Sequence, residues 1–158
     1  MRPVALSLLL LATAACSIES APTVAPDGTV DVPNDESGLR AKVPDNAKPN
    51  GFGGMAGFHS DDDTISVRIQ EKADADFETA KADAEALLFK SWIKSEATAD
   101  GYVLQYTAVG MDMEGNEYDN YVYEVARKIG DTTYTCSGSV KDQAHLAANI
   151  AICDSLKK

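Results

Sequence analysis

The sequence predicts an α+β domain in which two helices pack on an antiparallel β-sheet. Residues 64–70 alternate apolar and polar side chains, which is the pattern of a half-buried strand. Two later stretches repeat apolar residues at helical spacing instead. Strand-like segments come before the first helix and between the two helices, an order that favours an antiparallel sheet with helices on it. We expect one such domain over residues 37–158, long enough for a core of its own.

The expected order of elements is β-β-β-α-β-β-β-β-α. Its strands are predicted at residues 38–43, 55–59, 64–70, 90–98, 102–108, 121–129 and 132–140. Asp76 has the side chain of an N-cap for the first helix, in which Phe77, Ala80 and Ala84 recur on one face. The second helix is predicted at about residues 142–156. No internal repeat interrupts this order, so a single sheet is expected.

The first residues have the composition of an export signal. Arg2 precedes an uncharged run at residues 4–15, which is shorter than the roughly 20 residues that a membrane-spanning helix needs. A short apolar run that ends in small residues is typical of a signal peptide that is removed, here residues 1–15. Cys16 follows directly after Thr13-Ala14-Ala15. This stretch resembles the lipobox of bacterial lipoproteins, although Thr13 stands where that family usually has Leu.

The lipobox resemblance implies a lipid on Cys16 that anchors the mature chain in the cell envelope. Ser17 is not the Asp that marks inner-membrane retention, so the resemblance points to the outer membrane, facing the periplasm or the cell surface. An ordinary signal peptide cut after Ala12-Thr13-Ala14 is the alternative. Residues 16–36 are rich in Pro, Asp, Glu and Ser without apolar periodicity, and we expect them to form a disordered tether.

Cys136 and Cys153 are predicted to form a disulfide between the last strand and the last helix. Cys136 shares a strand face with Tyr134 and Val140, and Cys153 lies on the apolar stripe of the helix. With Cys16 lipidated, these two cysteines are the only ones left in an oxidising compartment, where disulfides persist. A redox-active or metal-binding pair is the alternative, but the spacing is not that of a C-x-x-C motif.

The end of the chain carries a second resemblance. The segment YTCSGSV at residues 134–140, followed by a helix that ends in CDSLK, resembles the C-terminal ends of many small bacterial lipoproteins. The order of elements over residues 37–158 resembles the PsbP-like fold. This resemblance implies a binding or assembly scaffold without a common catalytic site. It transfers no functional residue to this chain.

The chain is acidic, with a formal net charge of −11. Such a surface argues against nucleic acid and anionic headgroups as partners and is compatible with a cationic protein partner. Solubility alone is the alternative explanation. Two predicted turns carry the candidate partner-contact residues, which are Asp61, Asp62, Asp63, Asp112, Glu114, Glu117 and Asp119. Neither turn has the spacing of a calcium-binding loop, and a weak calcium site is the alternative to solvated turns.

Other motifs predict little chemistry, so no cofactor and no metal site are expected. Residues 51–56 match G-x-G-x-x-A, but the strand and helix that a dinucleotide site requires are not predicted around them. His59 and His145 are the only histidines, and no serine lies in a G-x-S-x-G motif. The tyrosines are expected mostly in the core, with an aromatic contact patch as the alternative.

Three functions remain open from the sequence. The leading one is a non-catalytic, membrane-anchored lipoprotein that binds a protein or supports envelope assembly. The second is an acidic inhibitor or immunity protein against a cationic enzyme such as a lysozyme. The third is a hydrolase, which requires His59 or His145 within hydrogen-bonding reach of a serine or a carboxylate.

Overall fold

A seven-stranded antiparallel sheet organises the protein. The computed structural model describes residues 24–50, 55–73, 75–86 and 88–158. Its strands are β1 Val30–Asp31, β2 Arg40–Ala41, β3 Lys48–Pro49, β4 Gly57–His59, β5 Ser66–Glu71, β6 Phe89–Thr98, β7 Gly101–Met111, β8 Glu117–Ile129 and β9 Thr132–Val140. The strand order is β3-β4-β5-β9-β8-β7-β6, and β1 and β2 form a separate pair. The predicted α+β class with an antiparallel sheet is confirmed.

Two helices cover opposite faces of the sheet. Helix α1 spans Phe77–Ala86, and helix α2 spans Leu146–Asp154 after a short 3-10 helix at Gln143–His145. Ala80 and Ala84 of α1 pack on Tyr102, Leu104 and Tyr106 of β7. Helix α2 packs on alternate residues of the neighbouring strands, which are Tyr123, Val125, Cys136, Val67 and Ile69. Because successive side chains of a strand point to opposite faces, the two helices lie on different sides of the sheet.

The first helix begins as predicted, whereas α2 begins at Leu146, later than the predicted start at about residue 142. The Asp76 side chain accepts a hydrogen bond from the Thr79 N–H at 2.8 Å, as an N-cap does. The Asp142 side chain accepts in the same way from the Ala144 N–H at 2.9 Å and starts the 3-10 helix that leads into α2. The predicted cap at Asp76 is confirmed.

The disulfide between Cys136 and Cys153 is present and joins β9 to α2. The two Cα atoms are 5.6 Å apart, and both side chains are buried. In β9, Cys136 lies opposite Val125 of β8 and Ile69 of β5, so the bond is surrounded by the main core. The predicted link between the last strand and the last helix is confirmed.

The expected boundary of the ordered domain at residue 37 is wrong. Val30 and Val32 are only 3% and 4% exposed and belong to the main hydrophobic core. Strand β1 pairs with β2, and a turn between them is held by Asp35, whose carboxylate accepts from the Leu39 N–H at 2.8 Å. Local turn bonds and two buried valines therefore order residues 24–36, part of the predicted tether. Cys16 and residues 1–23 lie outside the described residues.

Candidate functional site

The two acidic turns meet at one end of the sheet. The β4–β5 turn contains Asp61, Asp62 and Asp63, and the β7–β8 turn precedes Glu117 and Asp119. Strands β5, β9, β8 and β7 are successive antiparallel neighbours, so these turns and the end of β9 share one edge. Lys141, which directly follows β9, lies 3.8 Å from the Asp63 carboxylate and 5.7 Å from the centre of the Tyr118 ring. The candidate residues of both turns therefore form one surface, which we call the acidic end.

The β4–β5 turn is held by the carboxylate of Asp62. Its Oδ1 accepts from the Ser60 hydroxyl at 2.5 Å and from the Thr64 hydroxyl at 2.7 Å. These bonds favour the ionised carboxylate, and the Ser60 bond, followed by those of Thr64, lowers the pKa of Asp62 to about 2. Asp61 next to it forms an ion pair with Lys48 of β3. Asp62 thus keeps its negative charge at neutral and mildly acidic pH.

The β7–β8 turn is preorganised by Asp112. Its Oδ1 accepts from the backbone N–H of Glu114 at 2.9 Å and of Asn116 at 2.8 Å. Its Oδ2 accepts from the Asn116 side-chain amide at 2.9 Å, the largest contribution to a lowered pKa of Asp112. Met113 at the tip is fully exposed, and Met111 is largely so. A rigid turn therefore presents an apolar thioether among carboxylates.

Several carboxylates of the acidic end form no ion pair, although Lys90 is close enough to Glu117 to interact with it electrostatically. Asp61, Asp63 and Asp119 pair with Lys48, Lys141 and Lys90. In the described part of the chain, Asp62, Asp112, Glu114 and Glu117 form no ion pair. These carboxylates remain available to a positively charged group of another molecule.

The chain enters the described structure at the opposite end. Val24 forms a β-bridge with Val30, and Arg40 of β2 forms one with Lys157, just beyond α2. Helix α2 begins close to Lys141 at the acidic end and runs away from it over nine residues, about 13 Å. Val24 and the acidic end therefore lie at opposite ends of the molecule.

A polar trough lies beside α1 on the sheet face opposite α2. Its floor and walls are formed by polar side chains of three adjacent strands, which are Ser66, Arg68, Asn120, Glu124, Ser137 and Ser139. Tyr106 and Met55 contribute apolar rims, and the cavity has a volume of about 480 Å³. Sequence reasoning missed this trough, because alternation in β5 identified Ser66 and Arg68 only as solvent-facing residues.

The hydrolase arrangement is not assembled around either histidine. His59 lies on β4, and its Nδ1 is buried without a hydrogen-bond partner. His145 ends the short 3-10 helix. Across the described residues no hydrogen bond joins either imidazole to a serine or to a carboxylate. The glycine-rich residues 51–54 lie outside the described residues.

The described ranges contain neither a metal-binding cluster nor a membrane-spanning helix. Among these residues, no group of three or more His, Cys, Asp or Glu side chains has the geometry to hold a metal ion. No helix in the same ranges is long and apolar enough to cross a membrane.

The class that the geometry defines is a small, disulfide-linked α+β domain with an acidic end and a polar trough. No protein-family model matches the chain, and no curated protein does.

Proposed function

We propose that this protein is a non-catalytic binding module of the cell envelope, anchored by a lipid on Cys16, and that its acidic end binds a cationic protein. The observation that carries the proposal is the position of the two acidic turns, which share one end of the sheet opposite the entry of the chain. The lipid anchor, the outer-membrane location and a PsbP-like scaffold are part of the same proposal. They are supported by the signal-like residues 1–16 and by the order of elements.

The geometry of the anchor supports a partner that approaches from the side away from the membrane. Residues 16–23 connect the proposed lipid to Val24 and span at most about 27 Å when fully extended. Since Val24 lies at the end far from the acidic turns, the acidic end would face away from the lipid surface. It would then be free to meet a soluble or membrane-bound protein.

The chemistry of the acidic end favours a cationic partner. Unpaired carboxylates steer an oppositely charged protein during association and select against acidic ones. Methionine is enriched at protein interfaces, and the fully exposed Met113 offers an apolar contact in one of the two acidic turns. Both turns are held by internal hydrogen bonds, so binding should cost them little conformational entropy.

The test compares two variants of the full-length protein that remove equal charge. Glu114→Gln with Glu117→Gln removes unpaired carboxylates of the acidic end without touching the bonds of Asp112. Glu78→Gln with Asp83→Asn removes the same charge from α1. The wild type and the α1 variant should capture the same cationic protein from envelope extracts, and the acidic-end variant should lose it. Equal capture by both variants, or no cationic protein at all, would contradict the proposal.

An inhibitor of a cationic enzyme is the second candidate function. The observation that favours it is Met113, which a hydrogen-bonded turn holds fully exposed at its tip, in the manner of a residue inserted into a cleft. If the captured protein is an enzyme such as a lysozyme, the wild type should inhibit it and Met113→Ser should inhibit it less. If the protein binds the enzyme without inhibiting it, the inhibitor function is rejected and the binding module remains.

A further inference from the structure

The polar trough contains an arginine without a partner. Arg68 is exposed, and in the described structure its guanidinium forms no ion pair and no hydrogen bond. In the sheet it lies between Gly57 of β4 and Ser137 of β9. Gly57 has no side chain, and a Cβ there would stand 2.0 Å from the Val67 carbonyl oxygen. The two residues beside Arg68 on the neighbouring strands are therefore a glycine, which no larger residue can replace, and a serine.

The other polar side chains on the floor are also unused. Ser66, Ser137, Ser139 and Asn120 are half-buried, and none of these side chains forms a hydrogen bond within the described ranges. By contrast, the buried side chains of Asn149 and Ser60 both form internal hydrogen bonds. Half-buried polar groups that converge on a cavity without internal partners are typical of a ligand site.

Glu124 on the opposite wall has a different environment from Arg68. It lies opposite Ser137 on β8, where its carboxylate accepts from the Tyr102 hydroxyl and lies 3.7 Å from Lys72 Nζ. Lys72 offsets much of its charge, so Glu124 does not need a second cation. An ionised carboxylate accepts hydrogen bonds and donates none. This wall therefore suits a neutral donor such as a hydroxyl group.

We propose that the trough binds a small acidic sugar, with Arg68 holding its carboxylate and Glu124 accepting from its hydroxyl groups. A guanidinium binds a carboxylate through two parallel hydrogen bonds, which gives both affinity and orientation. The serines and Asn120 between the walls accept from and donate to the remaining hydroxyl groups. The volume of about 480 Å³ lies within the usual range of ligand pockets. This site lies on the sheet face and does not depend on the proposed protein-binding function.

The experiment is calorimetric titration of the full-length protein with three probes. D-glucuronate carries the carboxylate and the hydroxyl groups, its methyl ester keeps the hydroxyl groups but loses the charge, and propionate carries a carboxylate without hydroxyl groups. Glucuronate should bind saturably. The ester should bind at least about tenfold more weakly because it loses a charged hydrogen bond. Propionate should also bind more weakly than glucuronate because it lacks the hydroxyl groups that Glu124 accepts from.

Three variants locate the site. Arg68→Gln should weaken glucuronate binding at least about tenfold. Lys128→Gln removes the same charge from an exposed lysine outside the trough and should leave the affinity unchanged. Ser137→Val fills the floor with a residue that favours strands, so it should abolish binding while the unfolding midpoint stays the same or rises. The probes and Ser137→Val decide the result even if Arg68→Gln fails to fold.

The proposal is overturned if glucuronate shows no saturable binding or if its ester binds equally well. Binding of propionate as tight as that of glucuronate would reject an acidic sugar as the ligand class. Unchanged affinity in a folded Arg68→Gln variant would remove Arg68 from the site.

Discussion

The side chain of Asn149 on α2 holds the backbone of Ser66 on β5. Its Oδ1 accepts from the Ser66 N–H at 2.9 Å, and its Nδ2 donates to the Thr64 carbonyl at 2.8 Å. The Tyr123 hydroxyl donates to the Ser66 carbonyl at 2.6 Å from the neighbouring strand β8. One buried amide thereby fixes the helix to the first residues of a strand that is distant in the sequence.

We predict that Asn149→Ala lowers the free energy of unfolding by about 2 kcal/mol, because it leaves the half-buried Ser66 N–H and Thr64 carbonyl without their partners. Urea denaturation measures this loss. Asn120→Ala is the matched control, since Asn120 forms no side-chain hydrogen bond in the described structure, and it should cost less than about 0.5 kcal/mol. Equal losses in the free energy of unfolding for Asn149→Ala and Asn120→Ala would show that the Asn149 hydrogen bonds contribute little to stability.

We predict that loss of the disulfide destabilises the protein by about 3 kcal/mol. The cysteines are 17 residues apart, and a crosslink that closes a loop of this size restricts the unfolded chain by about that much. Denaturation of the Cys136→Ala, Cys153→Ala double variant measures the effect. The fully reduced wild type should show a similar loss. Because both sulfurs are buried, the native disulfide should be reduced slowly, and rapid reduction without unfolding would contradict that burial.

Acid should lower the free energy of unfolding partly through protonation of Asp62. Its pKa in the folded protein is about 2, below the ordinary value of 3.8, so the unfolded chain takes up the proton more readily. The contribution of Asp62 is complete above about pH 4 and is lost as the pH falls through about 2. Asp62→Asn should therefore lower stability at neutral pH and flatten the decline on acidification. Urea midpoints over this pH range test it.

Asp45→Asn is the control for the acid titration. Asp45 is exposed and forms no side-chain hydrogen bond or ion pair within the described chain. This variant should decline with pH as the wild type does. A parallel decline of Asp62→Asn and the wild type would show that the turn bonds of Asp62 are not maintained in solution.

Asp76 should stabilise α1 as its N-cap. Its bond to the Thr79 N–H satisfies a backbone donor that the helix leaves free, and the same bond is the main cause of a lowered pKa of Asp76. Asp76→Ala should cost about 1 kcal/mol in the free energy of unfolding. Asp83→Ala, which removes an exposed carboxylate within the same helix, should cost less. A larger loss for Asp83→Ala would contradict the capping role.

Sequence patterns predicted those parts of the fold that depend on local spacing. Ile65, Val67 and Ile69 alternate with polar residues, and all three are buried as the alternation requires. Cys136 and Cys153 each lay on an apolar face, so their pairing followed from two local patterns. The segment around Val30 and Val32 was misjudged, because two buried valines among Pro and Asp produce no periodic signal.

The candidate surfaces depend on strand order, which single-sequence patterns do not determine. Both acidic turns were recognised individually, but their common position follows only from the order β5-β9-β8-β7. The trough is even harder to predict from the sequence. Arg68 is identified as unpaired only once Ser137 and Gly57 are known to be its neighbours in the sheet.

The bridge between Arg40 and Lys157 has a consequence for the order of folding. In the segment from Val24 to β2, Arg40 pairs with Lys157, which follows the last helix. Contacts between distant parts of a chain form late, because a long loop must close first. A chain that emerges from its N-terminal end can therefore fold its central hairpins early. The backbone groups of Arg40 that bond to Lys157 stay without this partner until Lys157 has been added to the chain.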